Sequence, residues 1–158
     1  MTRVKEAELL GEGDRLPAVT LLDDQGNAIK TSDLLGRPLV LYFYPKDDTP
    51  GCTTEASEFR DLYKHFQKKD ARIVGVSRDS VESHQKFKKK YSIPFELLAD
   101  TESKLCDAFG VIVEKNMYGK KSKGVARSTF LIDAEGTIVK AWPKVRADDH
   151  AAEVLSSL

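Results

Sequence analysis

The sequence predicts an α/β protein with a mixed central sheet flanked by helices. Residues 38–44 are almost continuously apolar and aromatic, which is typical of a strand that is buried on both faces. Residues 53–68 carry apolar side chains at steps of three and four, the period of an amphipathic helix. Residues 71–76 form a second apolar run, so strand, helix and strand follow one another as a βαβ unit.

The first half of the chain is predicted to contain a hairpin, the central strand and a long helix. Turn-forming residues at 23–27 separate two short extended runs at 16–22 and 28–31, which predicts a small hairpin. A brief turn over residues 32–36 ends at a glycine. The helix after the central strand is predicted from five apolar positions: Ala56, Phe59, Leu62, Tyr63 and Phe66.

The second half continues the alternation of strands and helices. After the strand at 71–76, the pattern predicts a helix over residues 80–91 with Ser80 as its N-cap. The remaining predicted elements are a strand at 95–98, a helix at 102–109, a surface loop at 110–124, a hairpin of strands 128–132 and 137–142, and a helix at 149–157. This order predicts a thioredoxin-like fold, with a sheet that is parallel in its middle and antiparallel at one side.

The composition indicates one globular domain over residues 1–158 and argues against two classes of partner. Hydrophobic residues make up 41% of the chain, enough for a core without disulfides. Twenty-five Lys and Arg balance twenty-five Asp and Glu, so we expect no binding to nucleic acid or to an anionic membrane. The N-terminus lacks an apolar run of signal-peptide length, and no stretch is long enough to span a bilayer, so we expect a cytoplasmic location.

Cys52 stands at a position suited to a reactive thiol. It and Cys106 are the two cysteines of the chain, too few for a disulfide scaffold. Cys52 lies between the central strand and the next helix, at the sheet edge where α/β proteins bind ligands. It falls in the first turn of that helix, where free N–H groups and the helix dipole stabilise an anion, which for cysteine is the thiolate.

Ionisation of Cys52 would explain only part of a high reactivity. A free thiol is a few per cent ionised at neutral pH, so complete ionisation raises the reactive fraction by about 30-fold. Further acceleration requires donors that hold the substrate and stabilise charge on the departing atom. Thr49, three residues before Cys52, and the backbone N–H groups of Gly51 and Cys52 are candidates, and a guanidinium would complete the set.

The residues around Cys52 resemble the peroxiredoxins. Pro45, Thr49 and Cys52 match the family pattern of Pro, three residues, Thr, two residues and Cys. The fuller set of matching residues is Phe43-Tyr44-Pro45, Thr49-Pro50-Gly51-Cys52-Thr53, Glu55, Phe59, Arg60-Asp61, Asn116-Met117-Tyr118-Gly119-Lys120 and Arg127-Ser128-Thr129-Phe130-Leu131-Ile132-Asp133. This set is similar to the bacterioferritin-comigratory, or peroxiredoxin Q, branch, and it spans nearly the whole chain.

The resemblance implies a thiol peroxidase for antioxidant defence that uses no metal, haem or flavin. By that likeness Cys52 attacks hydrogen peroxide or an organic hydroperoxide and becomes a sulfenic acid. Arg127 would stabilise the thiolate and polarise the peroxide, Pro45 would shield the thiol from water, and Thr49 would hydrogen-bond the peroxide. The resemblance also implies a monomer that a thioredoxin- or glutaredoxin-type thiol recycles.

The sequence leaves the fate of oxidised Cys52 open. Many members of this branch have a resolving cysteine five residues after the first, where this chain has Ser57. Cys106 is a possible resolving thiol, but a disulfide would need Cα atoms within about 7 Å or local unfolding. Its neighbours Leu105 and Phe109 favour a packing role instead. The alternative is a single-cysteine cycle, in which an external thiol reduces the sulfenic acid directly.

A different class of function also fits Cys52. The chain could be a non-enzymatic redox sensor or holdase of thioredoxin-like fold, in which oxidation of Cys52 signals to a partner. A disulfide reductase fits less well, because that chemistry normally needs Cys-x-x-Cys and the run from Cys52 to Glu55 has no second thiol.

The remaining polar residues receive no role from the sequence. Asp47 and Asp48 would oppose ionisation of Cys52 if they were close, so we expect both to point outward. The three histidines lack the spacing of metal ligands, so we assign them neither a metal nor a catalytic base role. Two lysine clusters are expected to be solvent-exposed: Lys86, Lys88, Lys89 and Lys90, and Lys120, Lys121 and Lys123.

Overall fold

A seven-stranded mixed sheet forms the centre of the structure. The structure, a computed structural model, describes residues 9–158, with the backbone alone for residues 115–117. The strands are β1 (Thr20–Leu22), β2 (Ala28–Lys30), β3 (Leu39–Phe43), β4 (Arg72–Ser77), β5 (Glu96–Ala99), β6 (Ile112–Met117), β7 (Lys120–Val125), β8 (Ser128–Ile132) and β9 (Ile138–Trp142). The helices are α1 (Pro50–Asp61), α2 (Tyr63–Lys68), α3 (Val81–Tyr91), α4 (Lys104–Phe109) and α5 (His150–Ser156), with a 3-10 turn at Thr31–Leu34.

The strand order of the sheet is β2-β1-β5-β4-β3-β8-β9. β3, β4 and β5 are mutually parallel neighbours, as a βαβ sequence requires. β8 and β9 extend the sheet antiparallel on one side, and the β1–β2 hairpin does so on the other through Leu22 and Ala99. The predicted α/β class and mixed sheet are confirmed, with antiparallel strands on both sides rather than one.

Strand β3 separates two apolar cores, and all five of its residues are buried. Leu41 and Phe43 pack into one core, to which α4 contributes. Val40 and Tyr42 pack into the other, to which α1, α2, α3 and α5 contribute. This alternation is the expected consequence of a strand whose successive side chains point to opposite faces, and it confirms the central position predicted for residues 38–44.

Several other elements match their predicted bounds within a few residues. α3 begins after Ser80, whose hydroxyl oxygen accepts a hydrogen bond from the Ser83 N–H at 3.1 Å, so the predicted N-cap is confirmed. β8 and β9 form the predicted hairpin. None of the helices within the described residues 9–158 has the length and apolarity needed to cross a membrane.

The prediction of one helix over residues 53–68 is wrong. α1 ends at Asp61 and α2 begins at Tyr63, with Leu62 between them at φ −96° and ψ 4°. The apolar period continues across this break because Phe59 of α1 and Phe66 of α2 face the same core, with ring centroids 5.7 Å apart. Periodicity alone therefore could not detect it.

The prediction of a surface loop over residues 110–124 is also wrong. This segment contains β6 and β7, which form an antiparallel ribbon. Tyr118 and Gly119, at φ 54° and 78°, make a two-residue turn in the left-handed region, the geometry that joins the strands of a tight hairpin. Residues 120–123 are exposed along β7, so the ribbon lacks the apolar alternation that marks a half-buried strand. The side chains of Asn116 and Met117, part of the family resemblance, lie outside the described residues.

A buried carboxylate joins the β1–β2 hairpin to the rest of the fold. Asp24 lies in the hairpin turn and is 5% exposed. Its Oδ2 accepts hydrogen bonds from the Leu97 N–H at 2.8 Å and from Lys88 Nζ at 3.0 Å. The turn is therefore held to both β5 and α3. The expectation that Lys88 is solvent-exposed is wrong, because this ion pair leaves its side chain only 25% exposed.

We expect Asp24→Ala to lower the free energy of unfolding by about 2–4 kcal/mol, because it leaves a buried N–H and a partly buried ammonium group without their acceptor. Urea unfolding followed by circular dichroism measures the change. Glu82→Ala is the control, since Glu82 pairs with Lys86 at 3.4 Å with both side chains 78% exposed. That loss should stay below about 0.5 kcal/mol. Equal losses in the two variants would contradict the role assigned to Asp24.

Candidate active site

Cys52 lies in the first turn of α1, just beyond the carboxyl end of β3. α1 begins at Pro50, whose missing N–H is tolerated at the first helical position. Its first backbone hydrogen bond runs from the Thr53 N–H to the Thr49 carbonyl at 2.8 Å, so the N–H groups of Gly51 and Cys52 precede the helical ladder. The Cys52 residue is 2% exposed. The structure thus places the thiol as the sequence predicts.

Arg127 contacts the Cys52 thiol. It directly precedes β8, and the pairing of Phe43 with Ser128 brings the start of β8 beside the end of β3. Arg127 Nη2 lies 3.4 Å from Cys52 Sγ. The two residues are 75 positions apart in the chain, so antiparallel pairing of β8 with β3 is what brings them together.

Glu55 holds the other side of the same guanidinium. Arg127 Nη1 donates to Glu55 Oε1 at 2.8 Å, and the Glu55 side chain is fully buried. Glu55 lies one helical turn after Cys52, on the same face of α1. Burial raises the pKa of this carboxyl to about 7, against the lowering effect of the Arg127 charge. Glu55 Oε2 and Tyr42 Oη are buried without a hydrogen-bond partner among the described residues.

Gly51 leaves the space that the guanidinium occupies. A Cβ atom at this position would lie 2.8 Å from Arg127 Nη2, closer than side chains pack. Any larger residue at position 51 would therefore displace the group that contacts the thiol. Glycine at position 51 thus serves the close approach of the guanidinium rather than an unusual backbone conformation.

Thr49 and Pro45 line the loop that leads into α1, and both are half-buried. Thr49 is the N-cap residue of α1, with extended backbone at φ −97° and ψ 156°. Its hydroxyl donates to the Lys46 carbonyl at 2.8 Å, so the hydroxyl oxygen is left as an acceptor. Within the described residues, this hydroxyl makes no hydrogen bond with the Cys52 thiol.

Cys106 lies on the other face of the sheet. It packs in the core that contains Leu41 and Phe43, whereas Cys52 packs in the core that contains Val40 and Tyr42. Both thiols are free. Burial, and then the nearby Asp100 carboxylate, raise the pKa of the Cys106 thiol. The structure therefore does not bring Cys106 to Cys52. Ser57, which occupies the position of the resolving cysteine in many members of this branch, lies on α1 and is half-buried.

The expectation that Asp47 points outward is wrong. Asp47 is 7% exposed, and its carboxylate accepts hydrogen bonds from Tyr44 Oη at 2.6 Å and Ser83 Oγ at 2.8 Å. His84 Nδ1 lies 2.7 Å from Asp47 Oδ2. We call Tyr44, Asp47, Ser83 and His84 the Asp47 cluster. A carboxylate can be buried here because three polar groups converge on it.

Asp48 behaves as expected, since its side chain is 42% exposed and pairs with Lys90 Nζ at 2.8 Å.

One feature of the sequence could have predicted the Asp47 cluster. His84 precedes Phe87 by three residues and Tyr91 by seven, which places it on the apolar face of α3. A buried histidine requires polar partners. Within the described residues, no group of three or more His, Cys, Asp or Glu side chains could hold a metal ion.

Comparison with known proteins identifies the family of the chain. The model of the AhpC/TSA family matches residues 13–141. Peroxiredoxin Bcp of Bacillus subtilis is 53% identical over 92% of this chain and 93% of its own length. A putative peroxiredoxin bcp of Coxiella burnetii is 51% identical over 92% of this chain and 97% of its own length.

Solved structures give the same result. The PrxQ mutant structure from Xylella fastidiosa superimposes with a TM-score of 0.89 at 42% identity, covering 96% of both chains. The bacterioferritin comigratory protein of Xanthomonas campestris, whose structure was determined to explain its alkyl peroxide reduction activity, superimposes with a TM-score of 0.85 at 46% identity over 96% of both chains. The chain therefore belongs to the peroxiredoxins, in the branch of bacterioferritin comigratory protein and peroxiredoxin Q, and is a thiol peroxidase.

Proposed function

We propose that the chain reduces hydrogen peroxide and organic hydroperoxides through a sulfenic acid at Cys52. The observation that carries the proposal is the 3.4 Å contact between Arg127 Nη2 and Cys52 Sγ at the start of α1. A guanidinium contacts this sulfur in the first turn of α1, where backbone N–H groups are free, which is the environment that stabilises a thiolate. The same donors are fixed before the substrate arrives, as electrostatic catalysis requires.

In the first step the Cys52 thiolate attacks one oxygen of the peroxide. An S–O bond forms as the O–O bond breaks, the sulfur is oxidised to the sulfenic acid, and the peroxide is reduced. The departing oxygen leaves as hydroxide or alkoxide and takes up a proton to give water or an alcohol. Arg127 stabilises negative charge first on the sulfur and then on the departing oxygen, because its planar guanidinium can contact both.

Thr49 and Pro45 are proposed to complete the site from the loop side. Since the Thr49 hydroxyl donates to the Lys46 carbonyl, its oxygen can accept a hydrogen bond from the O–H of the peroxide and so orient it. Pro45, half-buried between β3 and α1, offers no N–H and limits access of water to the thiol. Both roles are carried from the family pattern to residues that lie on the matching loop.

We propose that an external thiol of the thioredoxin or glutaredoxin type completes the cycle. That thiol condenses with the sulfenic acid to a mixed disulfide and releases water, and a second thiol then restores Cys52 and leaves with the disulfide. The position of Cys106 on the opposite face of the sheet favours this single-cysteine cycle over an internal disulfide. The two free thiols fit a cytoplasmic protein.

A monomer is the proposed assembly. The exposed large apolar side chains that the structure describes, such as Leu22, Val113 and Val139, lie on different strands. Scattered exposure of this kind is normal for a monomer and offers no contiguous interface.

We expect Arg127→Lys to slow the reaction of Cys52 with hydrogen peroxide by about 10²-fold, since an ammonium group cannot contact the thiolate and the peroxide together. Stopped-flow measurement of the second-order loss of the Cys52 thiol gives the rate. Arg146→Lys is the control, because Arg146 is exposed and outside the site. A wild-type rate no faster than that of free cysteine would refute the peroxidase mechanism proposed for Cys52.

Gly51→Ala provides a companion variant that removes no functional group. The added methyl should displace Arg127 Nη2 and slow the same step by about 10-fold, while alanine in a helix stabilises the fold slightly. A slower reaction without loss of thermal stability would show that the guanidinium position, rather than its charge alone, sets the rate.

Glu55→Gln is expected to change the pH dependence of stability. Because the pKa of Glu55 is about 7 in the fold and near 4.5 ordinarily, its contribution is fully present below pH 4.5 and is lost as pH rises through 7. Wild type should therefore lose about 2–3 kcal/mol relative to Glu55→Gln between pH 5 and pH 8. Urea unfolding across this range measures the difference, with Glu82→Gln as an exposed control. Parallel pH profiles would contradict the assignment.

Mass spectrometry after one equivalent of peroxide distinguishes the two cycles. The single-cysteine cycle predicts a gain of about 16 mass units on Cys52, unchanged in Cys106→Ser, and then a mixed disulfide with an added thiol. An internal disulfide would instead lower the mass of wild type by about two units and disappear in Cys106→Ser. Oxidation without sustained consumption of peroxide, even with a thioredoxin system, would favour the sensor or holdase function.

A further inference from the structure

The Asp47 cluster fixes the path of the loop between β3 and α1. Asp47 lies in the middle of that loop, and its backbone N–H donates to Asp79 Oδ2 at 2.8 Å. Its carboxylate is bound by Tyr44 Oη, Ser83 Oγ and His84 Nδ1. One residue is therefore tied through both main chain and side chain to the end of β3, to the segment after β4 and to α3.

The hydrogen-bond partners of His84 indicate where hydrogens lie on its two ring nitrogens. His84 Nε2 lies 2.9 Å from the Leu98 carbonyl oxygen, which can only accept, so Nε2 carries a hydrogen. Nδ1 lies 2.7 Å from Asp47 Oδ2, and this contact also requires a proton between the two atoms. His84 is 0% exposed. The pair is thus a closed polar unit, fully hydrogen-bonded and shielded from water.

The loop that this unit holds leads directly to the reacting sulfur. Asp47 stands two residues before Thr49, the N-cap of α1, and five before Cys52. The contact of Arg127 with Cys52 depends on where α1 starts, and displacement of a reacting group by about 1 Å can cost about 10²-fold in rate. A shift of the loop would therefore move the thiol, although no hydrogen bond joins the Asp47 cluster to Cys52 within the described residues.

The same loop also governs access to Cys52 after oxidation. Cys52 is 2% exposed, which leaves too little surface for an external thiol to attack its sulfur in this conformation. The start of α1 and the loop before it must move outward before an external sulfur can attack in line. The hydrogen bonds of the Asp47 cluster resist that movement.

We propose that Asp47 and His84 are positioning residues that favour the reaction of Cys52 with peroxide at the expense of its later reduction. They hold the β3–α1 loop against α3 in the geometry in which Arg127 contacts the thiol. Their hydrogen bonds must break when the oxidised sulfur becomes accessible. The inference rests on the proposed role of Cys52 as the nucleophile.

Two rates measured on the same variants test this proposal. The first is the stopped-flow reaction of the Cys52 thiol with hydrogen peroxide, and the second is the reduction of oxidised Cys52 by dithiothreitol. Asp47→Ala should slow the first by about 10- to 100-fold and accelerate the second several-fold. Loss of global stability alone would not move the two rates in opposite directions.

Asp47→Asn separates position from charge. Its amide can donate to His84 Nδ1 and accept from Tyr44 Oη, so it keeps the hydrogen bonds while it removes the same charge as Asp47→Ala. It should retain most of the wild-type peroxide rate. Asp48→Asn is the matched control in the same loop, because asparagine keeps an acceptor for Tyr91 Oη, loses only the exposed ion pair with Lys90 and tolerates the left-handed backbone at φ 57°. Both of its rates should stay near those of wild type.

If Asp47→Ala does not fold, Tyr44→Phe takes its place, because it deletes one hydroxyl of the cluster. Tyr44→Phe should shift both rates in the same directions as Asp47→Ala but by smaller factors. The proposal is overturned if Asp47→Ala behaves like Asp48→Asn, if both rates fall together, or if Asp47→Asn is as slow as Asp47→Ala. A wild-type reaction no faster than that of free cysteine would overturn the role of Cys52, and this inference with it. A fast wild type with unaffected variants would overturn this inference alone.

Discussion

Strand β3 is hydrogen-bonded along both edges and buried on both faces, and the arrangement of the remaining elements follows from that constraint. Its five residues pair with β4 in parallel and with β8 antiparallel. The carboxyl ends of β3 and β4 therefore meet the amino end of β8 at one edge of the sheet. Cys52, Arg127 and the Asp47 cluster are all carried by the segments that enter or leave the sheet at this edge.

Ionisable groups at this edge are buried in pairs rather than singly. Glu55 shares the guanidinium of Arg127 with the thiol, and Asp47 faces His84. A charge taken out of water is tolerated only with a partner, so each pair also fixes the relative position of the two elements that supply it. One pair joins α1 to the start of β8, and the other joins the β3–α1 loop to α3. The start of α1 is thereby held from two directions.

The sequence was informative where structure follows from neighbouring residues. The apolar run at 38–44, the place of Cys52 in a first helical turn and the N-cap at Ser80 each depend on local pattern, and each was predicted. The break at Leu62 was missed because α1 and α2 face the same core and so continue one apolar period. The β6–β7 ribbon was missed because its exposed lysines leave no alternation of apolar and polar residues. The partners of Glu55 and Asp47 were missed for another reason. Arg127 lies 72 residues from Glu55, and His84 lies 37 residues from Asp47, and pairings at such separations leave no local pattern.

The sheet that separates Cys52 from Cys106 has a consequence for how electrons enter the protein. Within the proposed cycle no second sulfur of the same chain is at hand, so every turnover passes through a covalent bond with another molecule. The turnover rate of the enzyme is then limited by the rate at which that molecule binds. Between these encounters Cys52 remains a sulfenic acid. Each turnover therefore forms a mixed disulfide between Cys52 and the physiological reductant, and the reductant stays covalently bound to the enzyme for the lifetime of that disulfide.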